Sequence, residues 1–124
     1  MGRNPWGTCD TYFSKLVRAR GQCERCGTTQ NLECAHVIRR RHVGNPDLGF
    51  SLRCCEDNAW ALCRPCHYIV DNDAVQFTEL VDRTIGRAKY EELLIIKNSP
   101  HRRWSDKDRA AERDRLRALL KETV

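Results

Sequence analysis

Long apolar runs are missing from this chain. No segment of its 124 residues approaches the roughly 20 apolar residues that a membrane-spanning helix needs. The N-terminus lacks an apolar h-region, so no secretory signal is expected and the cytoplasm is the default location. No internal repeat and no low-complexity segment is present, which sets aside repeat architectures. Nothing resembles a helix built to read bases in a groove, so sequence preference on nucleic acid is not legible here.

What the chain does have is charge and cysteine. Its length suits one domain with a thin core. The composition, 40% hydrophobic and 31% charged, is that of a soluble protein. The net charge is +5, from 22 Lys and Arg against 17 Asp and Glu. That balance is compatible with a nucleic-acid partner without requiring one. The arginines are the pointed part of it, because Arg39, Arg40 and Arg41 are consecutive.

Eight cysteines in a small chain can signal a secreted disulfide scaffold. The missing signal peptide opposes that, and so does the spacing. Cys23 and Cys26 form one C-x2-C pair and Cys63 and Cys66 another. Paired in this way, cysteines are the usual ligands of a structural zinc, with disulfides or a redox pair as the competing readings. Cys9, Cys34, Cys54 and Cys55 have no such spacing and are expected as buried thiols.

The local pattern predicts helices joined by a short sheet. A helix is expected from Asp10, with Tyr12, Phe13, Leu16 and Val17 on one face and Gly21 past its end. Its outer face carries Lys15, Arg18 and Arg20, which fit a solvated surface or phosphate contacts. Gly27 closes the turn after Cys26. Leu32 to Ile38 and Ala59 to Leu62 read as two strands, and residues 39–58 as a long polar loop of the kind that is usually functional. A helix from about Pro65 carries His67 and Asp71. Asp73 with Gln76 resembles a capping box for the next helix, and a further helix spans Tyr90 to Lys97. Ser105 and Asp108 cap a last one from 106 to about 122. Residues 1–100 are expected as one domain and residues 101–124 as a charged helical extension.

One stretch gathers the chemistry. In Cys63-Arg64-Pro65-Cys66-His67-Tyr68-Ile69-Val70-Asp71 the second thiolate pair runs directly into His67 and Asp71. At i and i+4 these two share a helix face and can hold a second ion. Between the cysteine pairs lie His36, a candidate base, and Asn58, a candidate orienting amide. In order, the constellation is C-x2-C, His36, Asn58, then C-x2-C-H-x3-D.

This order resembles the HNH nucleases, which share the phrase Ala-His-(apolar)-Ile near the base and Cys-x2-Cys-His near the metal. The match rests on Cys23, Cys26, Ala35, His36, Asn58, Cys63, Cys66 and His67 and is strongest from residue 20 to 75. The resemblance implies an α+β fold: a small ββα-metal core with a four-cysteine zinc, flanked by helices. It implies hydrolysis of DNA phosphodiester bonds, by nicking or double-strand cleavage, to 5′-phosphate and 3′-hydroxyl ends. His36 would activate water, its unperturbed pKa of about 6.5 leaving it largely neutral at cellular pH. His67 and Asp71 would hold Mg²⁺ or Mn²⁺, and Asn58 would fix the loop or orient His36. Arg39, Arg40, Arg41 and Arg53 would clamp phosphates, to which guanidinium is matched bidentately.

Two positions depart from the family pattern. Ala35 stands where many members have an Asp or His ligand, which leaves two protein ligands at most. Asp71 stands where others have a second histidine. Ala35 is the feature that favours the competing reading, a non-catalytic zinc-knuckle module that binds DNA or protein. A thiol-redox protein built on Cys23 and Cys26 is a third reading. Monomer and weak dimer are both open.

Overall fold

The computed structural model describes residues 4–123, which form a small α+β protein of five helices and one two-stranded antiparallel sheet. Gly7–Arg18 form α1, Leu32–His36 β1, Ala59–Cys63 β2, Arg64–Asn72 α2, Ala74–Arg83 α3, Arg87–Asn98 α4 and Asp106–Glu122 α5. No helix among the described residues is long and apolar enough to cross a membrane.

The sheet is the divider. Its register pairs Leu32 with Cys63, Ala35 with Trp60 and His36 with Ala59. Side chains alternate across a strand, so the two faces bury different sets. Ala35, Trp60 and Leu62 join Val70, Leu80 and Val81 under α2 and α3. Ala59 and Ala61 join Phe13, Val17, Trp6, Trp104 and Leu116 under α1 and α5, with Cys34 packed against them. His36 belongs to this second side, where its ring lies 5.7 Å from that of Phe13.

Local sequence sets most element ends. α1 begins at Gly7, one turn before the expected Asp10, and stops at Arg18 with Gly21 in the left-handed region at φ 89°. Pro65 sits in the first turn of α2, where its missing N–H costs nothing. The Asp73 side chain accepts from the N–H groups of Val75 and Gln76 and starts α3. Ser105 and Asp108 complete a reciprocal capping box at α5.

Two regions depart from the sequence expectation. Residues 39–58 are not an open polar loop. They contain 3-10 turns at Pro46–Leu48 and Glu56–Asn58, and Ser51, Leu52, Arg53 and Cys54 are all buried. Gly44 enables this packing: at φ 78° it lies so close to Leu52 that an added Cβ would stand 3.2 Å from its backbone N. The second region is α5. It lies along α1 and places Leu116 in the core, so the residues beyond 100 pack with the rest of the fold. Its Glu112, 2% exposed, accepts from the Ser51 N–H at 2.6 Å and from Arg115. Arg115 in turn donates to the Cys54 carbonyl.

Candidate functional site

The four knuckle cysteines converge. The Sγ atoms of Cys23, Cys26, Cys63 and Cys66 all lie within 4.8 Å of one another. Among the described residues no other group of three or more ligand-type side chains does so. Four thiolates at about 2.3 Å from one zinc stand about 3.8 Å apart, and Cys26 and Cys63 are separated by 3.7 Å. That spacing is far beyond a disulfide bond of about 2 Å. The cluster fits a structural metal such as zinc.

The surroundings prepare it for a dication. Burial pushes the Cys23 thiol up, but backbone N–H groups of Cys26, Cys63 and Arg25 outweigh it and hold it down at about 6. Cys63 is pushed up to about 12 by burial and by the neighbouring sulfurs. A metal bound among these sulfurs would favour their thiolate forms. Arg25 donates to Cys66 Sγ at 3.4 Å and to Gln76 on α3. Glu24 donates its N–H to the Ala61 carbonyl and accepts the Ala61 N–H on its side chain, stitching the knuckle to β2.

His67 lies one residue past Cys66, partly buried. Its Nδ1 is 2.9 Å from Oε1 of Glu33 on β1. A carboxylate only accepts, so Nδ1 carries a hydrogen toward Glu33. Asp71 Oδ2 lies 3.4 Å from Nε2 of the same ring. Ligands around an octahedral ion of radius suited to oxygen donors stand about 3 Å apart. Nε2 and Oδ2 therefore fit one small divalent ion between them. Glu33 gives His67 a carboxylate partner of the kind that metal-ligating histidines commonly have. Glu33 was not singled out by the sequence, and it is held below the usual carboxylate range by His67 and Arg64. Ala35 points into the core, 2% exposed, and offers no ligand.

His36 ends β1. Its Nε2 lies 2.8 Å from the Arg53 carbonyl oxygen. A carbonyl accepts only, so Nε2 is the protonated nitrogen and Nδ1 holds the basic lone pair. Burial lowers its pKa, opposed in part by that hydrogen bond and by Asp10. His36 lines two open clefts. One, of about 390 Å³, it shares with Asp71, Val70, Phe77 and Arg39. The other, on the α1 side, where its ring lies, it shares with Asp10, Arg18 and Arg40.

Asn58 is a fastener. Fully buried, it donates to the Ile38 and Leu52 carbonyls at 3.1 and 3.0 Å and accepts the Ile38 N–H at 2.7 Å. These bonds tie the loop to the residues just past β1, and none of them reaches His36. Asn58 therefore fixes the chain beyond β1 through its backbone.

The arginines divide. Arg39, Arg40 and Arg41 are exposed, as a phosphate contact requires. Arg53 is 8% exposed and occupies a different place from the surface clamp expected of it. Its Nε donates to Asp10 at 2.8 Å, a second nitrogen donates to the same carboxylate, and its guanidinium lies 5.4 Å from the Trp6 ring centroid. Burial pushes the Asp10 carboxyl up, but Arg53 outweighs this and leaves it below the usual range. Arg53 braces α1 against the loop, and its carbonyl fixes His36. Cys9 and Cys54 are buried thiols as expected, while Cys34 and Cys55 are half-buried. Trp60 is core, donating to Thr84.

No family model matches this chain, and comparison with curated proteins and with solved structures finds no match in either.

Proposed function

We propose that this protein is a small HNH-type endonuclease that hydrolyses DNA phosphodiester bonds. One observation carries the reading. His36 has its Nε2 committed to the Arg53 carbonyl, leaving Nδ1 basic, and it lines a cleft together with Asp71 and the exposed Arg39. An imidazole fixed in one tautomer at such a cleft is suited to activate water against a phosphodiester.

Support comes from the order of elements as well. The base ends β1, a fastened loop follows, and β2 runs into α2, which carries His67 and Asp71. This is the sequence of parts expected of a ββα-metal core. The zinc knuckle would clamp the end of β2 and the start of α2 to the segment before β1, and a closed four-thiolate shell leaves zinc no catalytic position.

In the reaction, His36 Nδ1 takes the proton of the attacking water. The Arg53 carbonyl holds the imidazole in place and shares the hydrogen on Nε2. His67 and Asp71 would hold Mg²⁺ or Mn²⁺, with Glu33 hydrogen-bonded to Nδ1 of His67. When bound there, the ion supplies a Lewis acid for the phosphate and the leaving 3′ oxygen. Arg39, Arg40 and Arg41 hold phosphates of the strand.

Ala35 favours a second reading, a zinc module that binds nucleic acid or protein without cutting. The buried position of Ala35 removes a ligand that many HNH enzymes have. Supercoiled plasmid incubated with the protein in Mg²⁺, Mn²⁺ or EDTA separates the two. Metal-dependent conversion to open circle, abolished in His36→Ala, is the expected result. Intact plasmid with every metal, bound by zinc-loaded protein, would establish the binding module instead.

A further inference from the structure

The cleft on the α1 side of His36 has its own chemistry. Its volume is about 350 Å³, within the range of small-ligand sites. Leu32 and Cys34 give it apolar surface, with the buried Phe13 behind them. Arg18, at the end of α1, and Arg40, from the loop, give it charge. Two carboxylates also line it, and both are matched elsewhere. Asp10 is held by Arg53. Glu33 is held by Arg64 and His67.

The cations are less occupied. Arg18 Nε bonds only to Ser14, on its own helix, and no carboxylate among the described residues pairs with it. Arg40 stands 3.8 Å from an Asp10 that Arg53 already neutralises, and its side chain is 65% exposed. The cleft thus joins two guanidinium groups with spare charge to an apolar surface, and His36 stands in its wall. A ligand with an anionic backbone and a flat, weakly polar body satisfies both halves. A nucleotide has that make-up: phosphates for Arg18 and Arg40, sugar and base for Leu32 and Cys34.

We infer that this cleft seats the nucleotide next to the phosphodiester beside His36, with Arg18 and Arg40 holding its phosphates. The substrate strand then crosses the end of β1, from the C-terminal end of α1 on one side to the α2–α3 junction on the other. The placement relative to a scissile bond rests on the nuclease reading. The nucleotide seat itself does not depend on cleavage.

Zinc-loaded protein is titrated against a fluorescein-labelled 20-mer, single-stranded and duplex, without added divalent ion, and anisotropy is read across a series of NaCl concentrations. Arg18→Ala is expected to lower the slope of log affinity against log salt by about 0.9 on duplex and about 0.7 on single strand. Arg18→Lys should keep the slope, and Arg18→Glu should weaken binding beyond Arg18→Ala. Zinc content and melting temperature, unchanged from wild type, show that the variants are folded. An unaltered slope and affinity in Arg18→Ala overturns the inference, as does a wild-type protein that binds neither probe. Displacement of the probe by a free deoxynucleoside monophosphate at strand-like concentrations overturns it too, because the site would then take free nucleotides. The same variants on plasmid separate this inference from the nuclease reading. Arg18-dependent binding without nicking keeps the seat and removes the hydrolase. Nicking and binding untouched by Arg18→Ala keep the hydrolase and remove the seat.

Discussion

At the residue scale, His36 and Asn58 do different work. In the nuclease reading His36 must be neutral to accept a proton, and burial holds its pKa below the ordinary value. Lowering a base's pKa extends its neutral form to more acidic solution. Single-turnover nicking followed from about pH 5 to 8 should therefore fall to half at a pH below about 6.5. A midpoint at or above that value would show that another group sets the limb. Asn58 is tested by stability instead. Asn58→Ala orphans the Ile38 N–H and two carbonyls in a dry site, at about 1–3 kcal/mol for each group left unsatisfied. Asn58→Asp keeps an acceptor but loses both donors and brings a charge against those carbonyls. Both variants should melt well below wild type, with Asp no better than Ala. If Asn58→Asp instead kept the melting temperature and tightened Mn²⁺ binding, Asn58 would be a metal ligand after all.

At the element scale, the knuckle and the long loop show what a sequence can and cannot convey. The cysteine pairs, the α2 placement of His67 and Asp71, and the caps at Asp73 and Ser105 are short-range patterns, and each is legible in the chain. Glu33 against His67, Arg53 against Asp10 and Glu112 against Ser51 are not, because the partners lie 34, 43 and 61 residues apart. Such pairs arise from how elements dock, and docking leaves no periodicity to read. This is also why Arg53 suggested a surface clamp: an arginine in a polar loop carries no mark of the aspartate that will bury it. For the knuckle, metal analysis should find one zinc per chain. Its removal by a strong chelator should abolish the cooperative melt, as in other small zinc-dependent folds. Arg25→Ala should weaken zinc about 10- to 100-fold in a competitive chelator assay, the range for a lost outer-shell partner. Zinc affinity unchanged in that variant would mean that the Arg25 contact to Cys66 does not stabilise the thiolates.

At the scale of the whole molecule, the sheet separates two halves with separate means of support. The α2 and α3 side is held by the cysteine cluster and a core around Trp60 and Leu80. The α1 and α5 side has no such cluster and is held by packing, with Trp6 against Trp104 at 4.9 Å between ring centroids, and by buried polar contacts of Arg53 and Glu112. His36 and the loop that orients it belong to the second half. Their last support is Glu112, whose carboxylate receives the Ser51 N–H two residues before the carbonyl that holds the base. That has a consequence for the protein as it is made. A ribosome adds Glu112 sixty-one residues after Ser51, so the knuckle can close around its metal while the segment behind His36 still lacks its anchor. Domains that form during synthesis do so from the N-terminal side. In the nuclease reading the nascent chain thus acquires its metal early and its ordered base late, and a chain still tethered to its own message holds an incomplete cutting site.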